Sequence, residues 1–193
     1  MAYNTKDLRN VVLLGHSGSG KTTIVRHLLG LEHLNLEFSI SATSREPRGN
    51  EIDGKDYHFL DNETFREKIA KSEFIEWEEV YKDKLYGTLH SEVERIRENQ
   101  KKIIFDIEVN GAQSIKSKYG DQCLVIFVKP PSFRVLVSRL QNRNTETADS
   151  FKKRVMRIKK ELLFENAFDL VLLNDKLEET LLNAEQIIEE YVL

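Results

Sequence analysis

The chain has 193 residues, of which 40% are apolar and 32% charged, an ordinary composition for a globular protein with one main core. Its net charge of -3 argues against a general nucleic-acid binder, which would need a basic surface. No apolar stretch predicts a membrane span, and no basic-then-apolar leader predicts secretion, so we expect a cytoplasmic protein. The single cysteine, Cys123, can form no internal disulfide, and the five histidines have no zinc-binding spacing.

A glycine-rich segment with the spacing G-x-x-x-x-G-K-T follows the apolar residues 11–14 and precedes a helical pattern that stops at Gly30. This order of strand, turn and helix favours a P-loop, in which backbone N–H groups surround phosphate oxygens. Lys21 is expected to reach the outer phosphates of a nucleoside triphosphate, and the Thr22 hydroxyl is placed to bind Mg²⁺. The alternative is a turn that binds nothing. The predicted triphosphate-binding residues of the P-loop are Gly15, Ser17, Gly18, Ser19, Gly20, Lys21, Thr22 and Thr23.

Residues 38–90 contain more turns and polar loops than the rest of the chain, and this predicts a small mixed α+β insertion. Its predicted strands are residues 38–44, 50–52, 57–60, 74–81 and 85–88, with Asp53-Gly54 as a turn and a helix beginning near Asp61.

After the insertion, short apolar runs alternate with helical patterns, which is typical of a parallel sheet flanked by helices. The predicted strands are residues 102–106, 124–128 and 170–173. The predicted helices are one capped by Ser91, one over residues 111–118, one capped by Ser132, one from Val155, and a last one from Leu177. The polar, basic residues 139–154 predict a mobile lid over the triphosphate. The predicted fold is therefore α/β, with a P-loop core, an insertion and a lid.

Three side chains of the insertion could bind a phosphate monoester. Arg45 and Arg48 supply forked, permanently charged donors, and Tyr57 supplies a phenol hydroxyl. A solvated basic loop is the alternative. A P-loop protein that transfers phosphate needs a second substrate, and the insertion is the segment available to bind it.

A second group in the insertion could read a nucleobase. Ser41 and Thr88 supply hydroxyls, and Glu76 supplies a carboxylate. A carboxylate can accept two adjacent hydrogen bonds from the N–H and NH₂ edge of guanine, an edge that adenine lacks. The alternative for Glu76 is a surface charge on a strand.

Further charged residues of the core are candidates for the chemistry. Asp106 ends a predicted buried strand, where parallel sheets place ligand groups, and could hold Mg²⁺ through water or cap the next turn. Arg139, Arg143 and Arg154 lie in the predicted lid and could bring positive charge to the transferring phosphoryl group. A basic solvated helix face is the alternative for these three.

Taken in order, these motifs resemble the guanylate kinase family along nearly the whole chain. The matching segments are the P-loop, Ser-Ala-Thr-Ser-Arg45-Glu-Pro-Arg48, Glu51 with Gly54-Lys55-Asp56-Tyr57-His58-Phe59, Glu73-Phe74-Ile75-Glu76-Trp77, Tyr86-Gly87-Thr88, Asp106-Ile107-Glu108 with Gly111, and Arg143, Thr145 and Arg154. The resemblance implies a P-loop core of residues 1–37 and 91–193, a lid at about 139–154, and a GMP-binding insertion of residues 38–90. It implies phosphoryl transfer from ATP to GMP with Mg²⁺.

The resemblance also implies residue roles. Tyr86 joins Arg45, Arg48 and Tyr57 in holding the GMP phosphate, and Asp106 lies near the guanine-reading Ser41, Glu76 and Thr88. Lys21 joins the lid arginines in stabilising the moving phosphoryl group, and Asn174 and Asp175 line the adenine site. ATP and GMP are the expected partners, with dGMP acceptance and oligomeric state left open. A noncatalytic interaction module and a kinase for another phosphorylated small molecule remain alternatives.

Overall fold

A computed structural model describes residues 10–15, 18–141, 151, 155–156 and 168–192. Its strands are β1 (Asn10–Leu14), β2 (Leu36–Phe38), β3 (Ala42–Thr43), β4 (His58–Phe59), β5 (Phe74–Tyr81), β6 (Lys84–Leu89), β7 (Lys102–Ile107), β8 (Cys123–Lys129) and β9 (Leu170–Leu173). Its helices are α1 (Lys21–Leu29), α2 (Asn62–Ala70), α3 (His90–Glu98), α4 (Val109–Tyr119), α5 (Phe133–Gln141) and α6 (Leu177–Val192). Within these ranges, every helix is too short or too polar to cross a membrane.

The larger sheet has five parallel strands in the order β2, β7, β1, β8 and β9. The central strand β1 is fully buried, and its successive residues contribute to two different apolar clusters. Val11 and Leu13 pack with residues of α1 and α6, whereas Val12 and Leu14 pack with residues of α3 and α4. The sheet is therefore covered on both faces, which is why its central strands are continuous apolar runs. This confirms the predicted α/β fold class.

The second sheet is mixed and is built entirely from residues 42–89, in the strand order β4, β3, β6 and β5. β3 pairs with β4 in parallel, whereas the β3–β6 and β5–β6 pairs are antiparallel. A separate apolar cluster lies between this sheet and α2, and its ring pair Phe65 and Phe74 stacks with centroids 4.4 Å apart. The predicted domain boundaries, with residues 38–90 as the insertion and residues 1–37 and 91–193 as the core, stay predictions.

Residues 38–44 do not form the single strand that their alternation predicts. Phe38 ends β2 in the parallel sheet, and Ala42 begins β3 in the second sheet. Between them, the N–H of Ser39 still donates to Ile104 of the parallel sheet, whereas the N–H of Ile40 donates to the carboxylate of Glu92. The alternating pattern correctly predicts extended backbone at both ends of this segment. It wrongly predicts one strand, because the two ends pair with strands of different sheets.

The strand predicted at residues 50–52 is also wrong, because aspartate side chains take the local backbone donors. Asp56 accepts from the N–H of Ile52 at 2.8 Å, and Asp53 accepts from the N–H of Phe59 at 2.8 Å. Such local side-chain bonds compete with strand pairing. The strands at residues 74–81 and 170–173 are confirmed with the predicted bounds.

Two of the predicted helix starts are confirmed and two are wrong. Asp61 caps α2 by accepting from the N–H of Thr64, and Ser132 accepts from the N–H of Val135 at the start of α5. Ser91 is not a cap, because α3 already begins at His90 and Leu89 is the residue before it. Helix α4 begins at Val109, two positions before the predicted start at Gly111. Most of the predicted lid, and most of the helix predicted from Val155, lie outside the described residues.

Replacing Phe65 by alanine should lower the free energy of unfolding by about 3–5 kcal/mol, because the ring is fully buried and stacked on Phe74. Urea denaturation followed by circular dichroism measures this loss. Leu182→Ala is the matched control, since Leu182 is 60% exposed, and it should change stability by less than about 0.5 kcal/mol. A loss below about 1 kcal/mol for Phe65→Ala would contradict the packing described here.

Candidate active site

A cleft of about 1160 Å³ lies between the P-loop and the second sheet. It brings together most of the candidate residues that the sequence indicates. The predicted residues that line it are Gly18, Gly20, Lys21, Thr22, Ser41, Arg45, Arg48, Tyr57, Glu76, Tyr86 and Asp106. Candidates from two distant parts of the chain therefore face one space.

The P-loop joins the end of β1 to the start of α1. Gly20 precedes the helix with φ of 99°, a left-handed conformation that favours glycine. Lys21 is only 8% exposed, and its ammonium donates to the carbonyl of Gly15. The lysine is therefore folded back over its own loop, at the place where phosphate oxygens would be bound.

Asp106, on β7, faces the P-loop from the neighbouring strand. One oxygen of its carboxylate lies 3.5 Å from the Lys21 ammonium, and the other lies 3.5 Å from the Thr22 hydroxyl. A hydroxyl and a carboxylate are hard oxygen donors, which Mg²⁺ prefers. The donor set therefore fits Mg²⁺. The prediction that Asp106 ends its strand is wrong by one residue, because β7 continues to Ile107.

Asn174 braces the P-loop from the end of β9. It is 5% exposed, and its side-chain amide donates to the carbonyl of Ser19 at 2.6 Å. The Arg139 guanidinium donates to the Asn174 carbonyl at 3.3 Å. A Cβ at Gly20 would overlap the Asn174 amide nitrogen, so a side chain there would displace the amide from Ser19. The Asn174 amide is therefore bonded to the P-loop backbone, a contact that the resemblance did not indicate. Asp175, the next residue, is exposed.

Arg45 is held in place by contacts with other side chains of the insertion. It is 7% exposed, and both terminal nitrogens donate to the Glu51 carboxylate, at 2.6 and 2.8 Å. Its Nε donates to the Tyr86 hydroxyl at 3.1 Å, and the guanidinium lies 4.8 Å from the centre of the Tyr57 ring. Glu51 also accepts from the N–H of Arg48 at 2.7 Å. The predicted phosphate clamp is therefore one connected unit organised by Glu51.

Tyr57, one of the two tyrosines of this clamp, stays protonated at neutral pH. Burial raises the pKa of Tyr57 to about 12, and the charge of Asp106 adds to the effect. A neutral phenol keeps its O–H and can donate to an anion. Tyr57 also lies edge-on to Tyr86, with ring centroids 6.1 Å apart, which fixes the direction of its ring.

Glu76 and Thr88 face each other across the β5–β6 pair. The Thr88 hydroxyl donates to one Glu76 oxygen at 2.6 Å. Burial raises the pKa of the Glu76 carboxyl, although the Thr88 hydrogen bond works against the rise. The other Glu76 oxygen lies over Gly111, where a Cβ would come within 2.7 Å of it. Gly111 therefore leaves room for the carboxylate, and Ser41 lines the same cleft.

A family model described as guanylate kinase matches residues 7–191. A guanylate kinase of Porphyromonas gingivalis is 52% identical over 167 residues, which cover 86% of this chain and 89% of that protein. One of Bacteroides thetaiotaomicron is 44% identical over 182 residues, covering 94% and 89%. The crystal structure of guanylate kinase from Anaplasma phagocytophilum superposes with a TM-score of 0.76 at 27% identity, covering 95% of this chain and 85% of that one.

The chain belongs to the guanylate kinase family. The sequence assigned no role to Glu51 or Gly111 in this guanylate kinase family member. Glu51 is spaced three residues from Arg48, and both Glu51 and Gly111 stand in segments that carry the family resemblance, which is the signal that could have found them. Three predicted site residues, Ser17, Arg143 and Arg154, lie outside the described part of the chain. Thr23 is exposed on the first turn of α1.

Replacing Glu76 by glutamine should raise the thermal stability of this family member at pH 8. A carboxyl whose pKa is raised in the folded state destabilises the fold once it ionises, and this cost disappears below the pKa of the unfolded chain. The stability difference between Glu76→Gln and the parent should therefore shrink as the pH falls towards 4.5, the ordinary value. Differential scanning fluorimetry across this range measures it, and a difference that grows at low pH would contradict the assignment.

Proposed function

We propose that this cleft binds MgATP at the P-loop and GMP at the second sheet, and that its side chains carry out the transfer between them. The reaction follows from the family: the γ-phosphoryl group of ATP passes to GMP, giving ADP and GDP. The observation that carries the residue assignment is that the Lys21–Asp106 pair and the Arg45–Tyr57 clamp line one cleft.

The chemistry requires no general base in this cleft. An oxygen of the GMP phosphate attacks the γ-phosphorus, and the bond from that phosphorus to the bridging oxygen of ADP breaks with its electron pair. The second pKa of a phosphate monoester is about 6, so the attacking oxygen of GMP is already ionised at neutral pH. Catalysis then consists of positioning the two nucleotides and neutralising charge on the moving group.

Residues at the triphosphate end supply most of this neutralisation. In this proposal, Lys21 contacts the transferring phosphoryl group, together with Arg139, Arg143 and Arg154. The Thr22 hydroxyl would hold Mg²⁺, with Asp106 acting through water. The ion would supply further positive charge beside the phosphates when bound. Asn174 and Asp175 are assigned to the adenine side, with Asn174 acting through the carbonyl of Ser19.

Residues at the other end bind GMP. Arg45, Arg48, Tyr57 and Tyr86 are assigned to its phosphate, because forked cations and a protonated phenol suit a dianion. Glu76 accepts from the N–H and NH₂ edge of guanine, while Thr88 fixes the carboxylate and Ser41 completes the base pocket. Ser41 and the two carboxylates, Glu76 and Asp106, thus surround the nucleoside.

Two alternatives are less well supported by the site. A noncatalytic interaction module would have no need of a buried lysine turned over a phosphate loop, beside a carboxylate and a hydroxyl. A kinase for a phosphorylated sugar would have no need of the buried Glu76–Thr88 pair. Neither alternative accounts for both ends of the cleft.

An ADP-release assay with MgATP tests the acceptor. GMP should support turnover far above AMP, CMP, UMP and water, with dGMP measured beside it. Glu76→Gln should raise KM for GMP by at least about tenfold, since a charged acceptor for two guanine donors is lost. Exposed Glu79→Gln on the same strand is the matched control. Equal turnover with AMP and GMP would contradict the base assignment.

Removal of Lys21 or of Mg²⁺ tests the other end of the cleft. Lys21→Ala should lower kcat by at least about a hundredfold while the fold is kept, because positive charge at the moving phosphoryl group is lost. Excess chelator should abolish turnover, and added Mg²⁺ should restore it. Substantial activity in Lys21→Ala, or turnover unaffected by chelation, would contradict the proposal.

A further inference from the structure

The junction between the two sheets contains a buried acidic residue that the proposed chemistry does not use. The chain leaves the parallel sheet at Phe38 and enters the second sheet at Ala42. It returns where β6 ends at Leu89 and α3 begins. Glu92 lies in the first turn of α3, beside both crossings, and its side chain is only 6% exposed.

Both oxygens of Glu92 are occupied by groups from three parts of the chain. Oε2 accepts from the N–H of Ile40 at 3.0 Å and from Arg95 at 3.0 Å. Oε1 accepts from Arg95 Nε at 3.2 Å and lies 3.1 Å from Nε2 of His58, where a ring N–H can donate. One carboxylate therefore joins α3, the outgoing crossing and strand β4.

The parallel sheet anchors this carboxylate through Arg95. The Arg95 guanidinium donates to the carbonyl of Phe38 at 3.3 Å and pairs with the carboxylate of Glu37 on β2. Burial would raise the pKa of Glu92, but hydrogen bonds from Arg95, Ile40 and His58 outweigh it, and the pKa is lowered. The carboxylate therefore stays ionised and holds its donors by charge-assisted bonds.

The two groups that Glu92 holds on the side of the second sheet adjoin residues assigned to GMP. Ile40 immediately precedes Ser41, and His58 immediately follows Tyr57. The two segments are also joined to each other, because the N–H of His58 donates to the carbonyl of Ser41 at 3.0 Å. Movement of Glu92 would therefore shift the base pocket and the phosphate clamp together, relative to the P-loop.

We propose that Glu92 is a positioning residue for GMP, which fixes Ser41 through Ile40 and Tyr57 through His58. This inference rests on the proposed function in one respect, namely that the cleft beside the second sheet binds GMP. Glu92 itself lines the cleft, but both of its oxygens are bonded to these neighbours, and it acts through them. It fixes the position of the GMP side of the cleft relative to α3 and β2, and it does not act on the P-loop.

A purely structural role predicts a different result from a positioning role. If Glu92 only stabilises the fold, its loss lowers the melting temperature and leaves KM for both substrates unchanged in the folded fraction. If it positions the GMP side, its loss changes KM for GMP and leaves KM for ATP unchanged, because the contacts described here do not include the P-loop. The split between the two KM values therefore decides the question.

The first experiment compares Glu92→Gln with Glu94→Gln, an exposed glutamate on the same helix. Glutamine keeps the shape of residue 92 but loses the charge and one acceptor. Glu92→Gln should raise KM for GMP by about tenfold and change KM for ATP by less than about twofold. Glu94→Gln should leave both values unchanged. Equal changes in both KM values, or no change in KM for GMP, would overturn the proposal.

Variants of His58 keep the test decisive if Glu92→Gln fails to fold. His58→Phe removes the donor, whereas His58→Gln retains one. His58→Phe should raise KM for GMP, and His58→Gln should restore it towards the parent value. Where both single variants fold, the double variant Glu92→Gln, His58→Phe should show less than the sum of their effects, since they share one contact. Equal KM values in the two His58 variants would overturn the proposal.

The parent enzyme separates this inference from the proposed function. If the parent fails to phosphorylate GMP, the proposed function is wrong, and the positioning role of Glu92 falls with it. If the parent is active and Glu92→Gln alters only stability, the proposed function holds and the positioning role is wrong.

Discussion

The site depends on the parallel pairing of β1 with β7, in which Leu13 lies opposite Asp106. This register places Asp106 on the sheet face that α1 covers, where it meets Lys21 and Thr22. A shift of one residue would turn Asp106 towards the opposite face, because side chains alternate along a strand. The buried apolar residues on both faces of β7 exclude that shift. Core packing therefore determines the geometry of the charged groups.

Three pairs of oppositely charged side chains line the cleft. Arg45 and Glu51 pair within the loop that follows β3, Arg95 and Glu37 connect α3 to β2, and Lys21 at the start of α1 lies beside Asp106 on β7. Such partly buried pairs contribute little net stability, because desolvation and solvent screening offset most of their attraction. Their value here is that they hold cations in fixed directions, so that less ordering is required when an anionic substrate binds.

Most of the parallel sheet could be predicted from the sequence, because its strands are continuous apolar runs separated by helical patterns. The P-loop and the grouping of Arg45 with Tyr57 could be predicted, because phosphate binding requires particular residue types at short spacing, and their role in binding phosphate stays a prediction. The brace from Asn174 to Ser19 could not, since these residues are 155 positions apart. The division of residues 38–44 between two sheets could not either, because local alternation contains no information about which strand will be the partner.

Glu76 differs from three other acidic residues of the cleft, Glu37, Glu51 and Glu92, in the direction of its pKa shift. The pKa values of Glu37, Glu51 and Glu92 are lowered, and arginine hydrogen bonds contribute to each shift, whereas burial raises the pKa of Glu76. The hydrogen bond described for Glu76 comes from a neutral hydroxyl. A carboxylate in this environment destabilises the folded protein at neutral pH and gains most when two further N–H donors approach. Under the proposed assignment of Glu76 to the base, guanine supplies those donors, and the same burial that costs stability strengthens discrimination against bases that lack them.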